Sequence, residues 1–115
     1  MSIHVLQVAA SNEHAVALDS SGLAYTWGIG FWGALGHGDD VDKTTPKLVN
    51  SLKSQLAVQV CARRRETFVL ADDGSVYGFG WMGLASLGFP DRGVSQRIMR
   101  PQILKMLKSS PRFSN

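Results

Sequence analysis

The chain holds one cysteine in 115 residues. Cys61 therefore has no partner for an intramolecular disulfide and cannot build a thiolate metal site alone, which fits a reducing compartment. No stretch reaches the roughly 18 consecutive apolar residues that mark a membrane-spanning helix. The opening Met1-Ser2-Ile3-His4 has neither the basic region nor the apolar core of a secretory signal. The expectation is an intracellular chain, nuclear or cytoplasmic, that does not enter a membrane. Amphipathic runs of 3.6-residue period are missing before Gln102, which speaks against a helical solenoid. Nor is charge in excess: 18% charged and 44% hydrophobic residues are the balance of a globular domain, neither disordered nor fibrous.

Net charge is +3, unevenly spread. Residues 1–58 sum to −2 and residues 59–115 to +5. Arg63-Arg64-Arg65, with Arg100, Lys105, Lys108 and Arg112, would attract nucleic acid or an acidic partner. The plainer reading is a solvated face on one part of a larger assembly.

What the chain has in abundance is itself. Setting Val8-Ala9-Ala10 on Val60-Cys61-Ala62 fixes an offset of 52, which then holds without a gap for about thirty positions. Val16 falls on Phe68, Leu18 on Leu70, Gly22 on Gly74, Tyr25 on Tyr77, Trp27 on Phe79, Gly28 on Gly80, Leu35 on Leu87, Gly36 on Gly88 and Asp39 on Asp91. Pro46 and Pro101 lie 55 apart, so the second copy gains three residues in a loop, where insertions belong. This places repeat one over about 5–55, repeat two over about 56–104 and a tail over 105–115.

Each copy reads as short strands: Val5 to Ala10, Ala15 to Asp19 and Leu23 to Gly28, then Ala57 to Ala62, Thr67 to Ala71 and Ser75 to Gly80. A fourth strand is expected at Pro46 to Val49 and at Pro101 to Leu104, with proline at its first position. Asp72-Asp73-Gly74 predicts a type I′ hairpin turn. The runs His14 to Leu18 and Thr67 to Leu70 are apolar on both faces, so both faces of each sheet need cover. An all-β fold of two consecutive four-stranded antiparallel blades, a partial and open β-propeller, meets these demands.

Val8-Ala9-Ala10, His14, Leu18, Gly22, Tyr25-Thr26-Trp27-Gly28, Gly33 to Asp39 and Pro46 together resemble the regulator of chromosome condensation repeat, over residues 5 to about 104. The second copy departs from that pattern with Glu66 in place of the histidine. The resemblance implies a ring of about seven blades, of which two are here. Two blades alone leave an apolar face at each end, and several hundred Å² of exposed face forfeits on the order of 10 kcal/mol. The expectation is a fragment or truncated member that self-associates through its exposed blade faces or needs a partner.

Other chemistries fit poorly. Gly28-Ile29-Gly30-Phe31-Trp32-Gly33 spells a dinucleotide motif, but no helix is expected after it, and the aligned copy has Met82 and Ala85 at the later glycines. Asp39, Asp40 and Asp42 lack the glutamate that closes a calcium loop. His14 has no nucleophile and orienting group assigned to it and is read as a structural hydrogen bond at a strand turn. Cys61, aligned with Ala9, is read as a small core residue, and Trp27 as a core aromatic equivalent to Phe79.

The sequence therefore points to a non-catalytic protein-binding scaffold without cofactor or metal, presenting Trp32, Trp81, Arg63, Arg64 and Arg65 to a protein partner. The resemblance implies guanine-nucleotide exchange on a small GTPase as the alternative, and the basic half implies DNA or chromatin binding. The loops Gly30 to Asp42 and Trp81 to Gly93 are where the copies stop agreeing.

Overall fold

A computed structural model describes residues 4–83 and 95–106. Strands β1 (Val5–Ala10), β2 (His14–Asp19), β3 (Ala24–Gly28) and β4 (Lys43–Leu48) form one sheet. After a 3₁₀ turn at Asn50–Leu52, strands β5 (Ala57–Arg63), β6 (Glu66–Ala71), β7 (Ser75–Gly83) and β8 (Ser95–Met106) form a second. Each sheet runs in chain order and is antiparallel throughout. The two stand as neighbouring propeller blades, open at both ends of the pair.

Strand alternation divides each blade into two faces. In blade one, His14, Val16 and Leu18 with cross-strand Thr26 and Ala24 look toward blade two, and Ala15 and Ala17 with Trp27 and Tyr25 look away. Val16, Leu18 and Ala24 share a core with Val60, Val69, Phe79, Met82 and Ile98 of blade two. β2 is buried over its whole length, as its doubly apolar composition requires.

The structure corrects four expectations. The fourth strands begin earlier, at Lys43 and Ser95, and carry their prolines inside. Pairing slips between Lys47↔Thr26 and Lys43↔Gly28, and again between Gln102↔Gly78 and Ile98↔Gly80. Pro46 and Pro101 each sit within such a bulge, where a missing N–H breaks no ladder bond. At Asp72-Asp73-Gly74, only Gly74 has positive φ (90°), and its N–H donates to the Ala71 carbonyl at 3.1 Å. The turn is therefore type I closed by a left-handed glycine, because the Asp73 side chain is used instead to accept the Ser75 N–H.

Cys61 is exposed rather than core. Its equivalent, Ala9, is partly buried against the core that the two blades share, on the face of blade one turned to blade two, whereas Cys61 lies on the uncovered face of blade two. Trp27 is half-buried for the same reason, while Phe79 is fully buried. Asp91, the segment Ser86-Leu87-Gly88 and the tail with Lys108 and Arg112 lie outside the described residues.

Candidate functional site

The strand-linking turns of the two blades stack at one rim. Positions 52 or 53 apart meet there: the Ser11 hydroxyl donates to the Arg64 carbonyl at 2.8 Å, Arg65 pairs with Glu13 at 3.6 Å, and His14 Nε2 reaches the Glu66 carbonyl at 3.1 Å. His14 also contacts the Thr67 hydroxyl at 2.8 Å, and that hydroxyl's proton is committed to the Ala34 carbonyl. Nε2 thus faces two oxygens, while Nδ1 lies 2.9 Å from the Ser11 hydroxyl. The histidine is a structural latch, as its residue context implied, but it ties blade to blade.

Burial pushes His14 below the ordinary imidazole value. Burial does the same to His37, helped by the Lys47 and Lys43 charges. An unfolded chain takes up these protons near pH 6.5 and the folded chain only at lower pH, so in that window the unfolded state holds more protons. Stability is then complete above pH 6.5 and is lost as pH falls toward the folded values. A urea midpoint measured from about pH 8 down to about pH 5.5 should hold and then drop, and His14→Gln should flatten the drop.

Trp32 lies in the loop after β3, which is turned by bonds from Gly33 N–H to the Gly30 carbonyl and from Gly36 N–H to the Gly33 carbonyl. These turns occupy the place where a nucleotide-binding helix would begin. The Arg65 guanidinium stands 4.1 Å over the Trp32 ring. Trp32 meets Trp81 edge-on at 5.4 Å and Phe31 at 4.7 Å. Arg97 covers Phe31 at 4.9 Å and donates to its carbonyl at 2.9 Å. The aromatic rings therefore form a cluster across both blades, capped by Arg65 on Trp32 and by Arg97 on Phe31.

Trp81 owes its place to β7. Its N–H donates to the Arg65 carbonyl at 2.9 Å, which holds the tryptophan beside the arginine turn. Arg63, Arg64, Arg65, Glu66 and Trp81 of blade two, with Asn12 and Glu13 of blade one, line a cleft of about 540 Å³. Arg63, Arg64 and Arg65 are exposed, and Trp81 is 38% exposed.

Arg64 has φ 40°, the only non-glycine described with positive φ. That conformation costs a residue with a β-carbon about 1–2 kcal/mol, partly offset by the extra freedom glycine would have when unfolded. Arg64→Gly should therefore raise stability by about 0.5 kcal/mol in a thermal melt, while removing a cleft cation.

The structure thus brings the five sequence-selected residues to one rim: four line the cleft, and Trp32 backs it through Arg65 and Trp81. It adds Phe31, Arg97, Asn12 and Glu13. Glu13 was findable, since it is the repeat equivalent of Arg65 with opposite charge. Arg97 carried no local signal. The Trp81 to Gly93 loop lies mostly outside the described residues. Among the described residues, no group of three His, Cys, Asp or Glu is placed to hold a metal ion, and no helix is long and apolar enough to cross a membrane.

Two family models, both described as the regulator of chromosome condensation (RCC1) repeat, match residues 21–70 and 5–31. The human E3 ubiquitin-protein ligase HERC2 is 37% identical over 105 residues, 90% of this chain and 2% of that protein. The mouse inhibitor of Bruton tyrosine kinase is 39% identical over 106 residues, 92% of this chain and 8% of that protein. The chain thus spans a small fraction of the curated relatives it matches.

Among solved structures, human WBSCR16 aligns with TM-score 0.76 at 24% identity, covering 91% of this chain and 26% of its own. Yeast RCC1 (Prp20), solved bound to Kap60, aligns with TM-score 0.76 at 18% identity, covering 91% and 25%. Prp20p from Saccharomyces cerevisiae, described with its binding properties to Gsp1p and histones, aligns with TM-score 0.74 at 18% identity, covering 90% and 26%. From the repeats, the blades and these matches, the chain belongs to the regulator of chromosome condensation repeat family.

Proposed function

We propose that this chain, with repeat one over about 5–55 and repeat two over about 56–104, is a non-catalytic protein-binding module whose contact surface is the arginine and tryptophan rim. The observation that carries this reading is the row Arg65, Trp32 and Trp81, built from both blades. Tryptophan and arginine dominate the energetic centres of protein interfaces, because a rigid ring and a planar cation bury much area at little entropic cost.

Electrostatics favours a protein over nucleic acid. Three arginines line the cleft, but Glu13 and Glu66 line it too, and Asp40 pairs with Arg97 at 3.4 Å. A nucleic-acid surface of this size would be more uniformly positive. The description of Prp20p with Gsp1p and histones keeps exchange on a small GTPase and chromatin binding as the second reading.

The test is capture of proteins from cell extract by the full chain and by Trp32→Ala and Arg65→Ala variants. Duplex DNA binding at two salt concentrations and nucleotide release from a small GTPase are measured beside it. The reading expects a defined set of proteins that both variants lose, with weak DNA binding and unchanged nucleotide release. Tight, salt-dependent DNA affinity, accelerated release, or capture indifferent to both substitutions would overturn it.

A further inference from the structure

The two open blade faces are the two halves of an interface the chain already makes once. Applying the offset of 52, the face of blade one that blade two covers (Val16, Leu18, Ala24) becomes Phe68, Leu70 and Val76 on blade two. The covering face of blade two (Thr67, Val69, Phe79) becomes Ala15, Ala17 and Trp27 on blade one. Burial follows the neighbour at the larger side chains, whereas Ala15 and Ala17, on the central strand of the uncovered face, are buried at 9% and 5%. Val60 is 6% exposed and its equivalent Val8 is 56% exposed; Leu18 is buried at 3% and Leu70 is half-buried. On blade two, Cys61, Phe68, Leu70 and Val76 line an open, apolar hollow of about 180 Å³.

We infer that this hollow receives the open face of blade one from a second copy of the chain, in the head-to-tail manner in which the chain's own blades pack. Side-chain volumes compensate across the pair. Blade two's open face is enlarged, with Phe68 for Val16 and Val76 for Ala24, whereas blade one's is reduced, with Ala15 for Thr67 and Ala17 for Val69. Gly78 for Thr26 makes room where Trp27 for Phe79 adds bulk.

Two polar contacts of the internal interface also have equivalents. Gln7 Oε1 accepts the Val60 N–H at 2.6 Å, and the same pair between copies is Gln59 with Val8. The Ala57 N–H donates to the Gly22 carbonyl at 3.0 Å, and its equivalent is Val5 with Gly74. The His14 latch has no equivalent, because Glu66 and Ala15 stand where His14 and Thr67 form it. The contact between copies is therefore weaker than the internal one and depends on concentration. A heterologous contact of this kind adds copies in one direction until a ring closes.

The test is light scattering after size exclusion, under reducing conditions and over a range of concentrations, on the full chain and on Val8→Glu and Cys61→Glu. Both positions are exposed in the single chain, so circular dichroism should show both variants folded. The wild type is expected above its 12.5 kDa monomer mass, with mass rising with concentration. Each variant alone should be monomeric, and an equal mixture should form a species of twice the monomer mass, since each supplies the face the other lacks. A wild type monomeric at every concentration overturns the inference. So does either variant self-associating alone, which means like faces pair, or a mixture that stays monomeric. Wild-type mass that rises only when cell extract is added would mean that another protein covers the hollow, and would overturn it equally.

Discussion

Phe79→Ala is expected to lower stability by about 3–5 kcal/mol, which removes most of what a chain of this size has to lose. The ring is completely buried and belongs to the one core that both blades share. It also carries the loop of the other blade. A β-carbon on Gly36 would lie 2.7 Å from the ring, so Ala34-Leu35-Gly36 passes directly over it, and Ala34 and Leu35 are buried as a result. Removing the ring opens a cavity in the core that joins the two sheets. Urea unfolding followed by circular dichroism should show the loss. Trp27→Ala, at the equivalent position with a half-exposed side chain, should cost much less.

Gly80→Ala is the second large effect, expected at about 3 kcal/mol or more. Gly80 has φ 115°, a conformation open essentially to glycine alone. A β-carbon there would overlap the Arg65 carbonyl oxygen and stand 3.0 Å from the Glu66 α-carbon, and backbone cannot step aside as a side chain can. The damage reaches the rim, because β7 must pass that close for the Trp81 N–H to meet the Arg65 carbonyl. A shift in tryptophan emission together with a lower urea midpoint should report both losses. Gly28→Ala, with φ 117° and the Glu13 carbonyl 2.5 Å from the added carbon, should lose stability alike but leave the turn beneath Trp81 in place.

Much of this was legible in the residues. The offset of 52 located the first three strands of each copy to within three residues, since apolar alternation and turn chemistry agree in both copies. Proline as a strand start sets the expected fourth strands too late, at Pro46 and Pro101 instead of Lys43 and Ser95. In the fold it sits in a bulge, and a bulge leaves no mark on apolar period. Equivalence by sequence is not equivalence of burial, which is why Cys61 is exposed and Trp27 half-buried where Ala9 is partly buried and Phe79 is fully buried. Burial depends on whether a blade stands next door, which a single position does not encode. The rim was legible as composition, in Trp32, Trp81 and the arginine triplet, but not as geometry. That Arg65 lies between Glu13 and Trp32 follows from stacked equivalent turns, visible once 13 and 65 are seen to be 52 apart. Arg97 comes from a distant strand across the inserted loop and had no such guide.

The account rests on the two repeats packing as neighbouring blades, so that a loop of the first meets the third strand of the second. Trp32 and Trp81, 5.4 Å apart and one from each blade, report that contact directly. Their coupled ring transitions should produce an exciton couplet in the far-ultraviolet circular dichroism of the full chain. The account predicts that Trp32→Phe and Trp81→Phe each abolish the couplet and that Trp27→Phe leaves it. A folded wild type without the couplet, or a couplet that survives both substitutions, would contradict it.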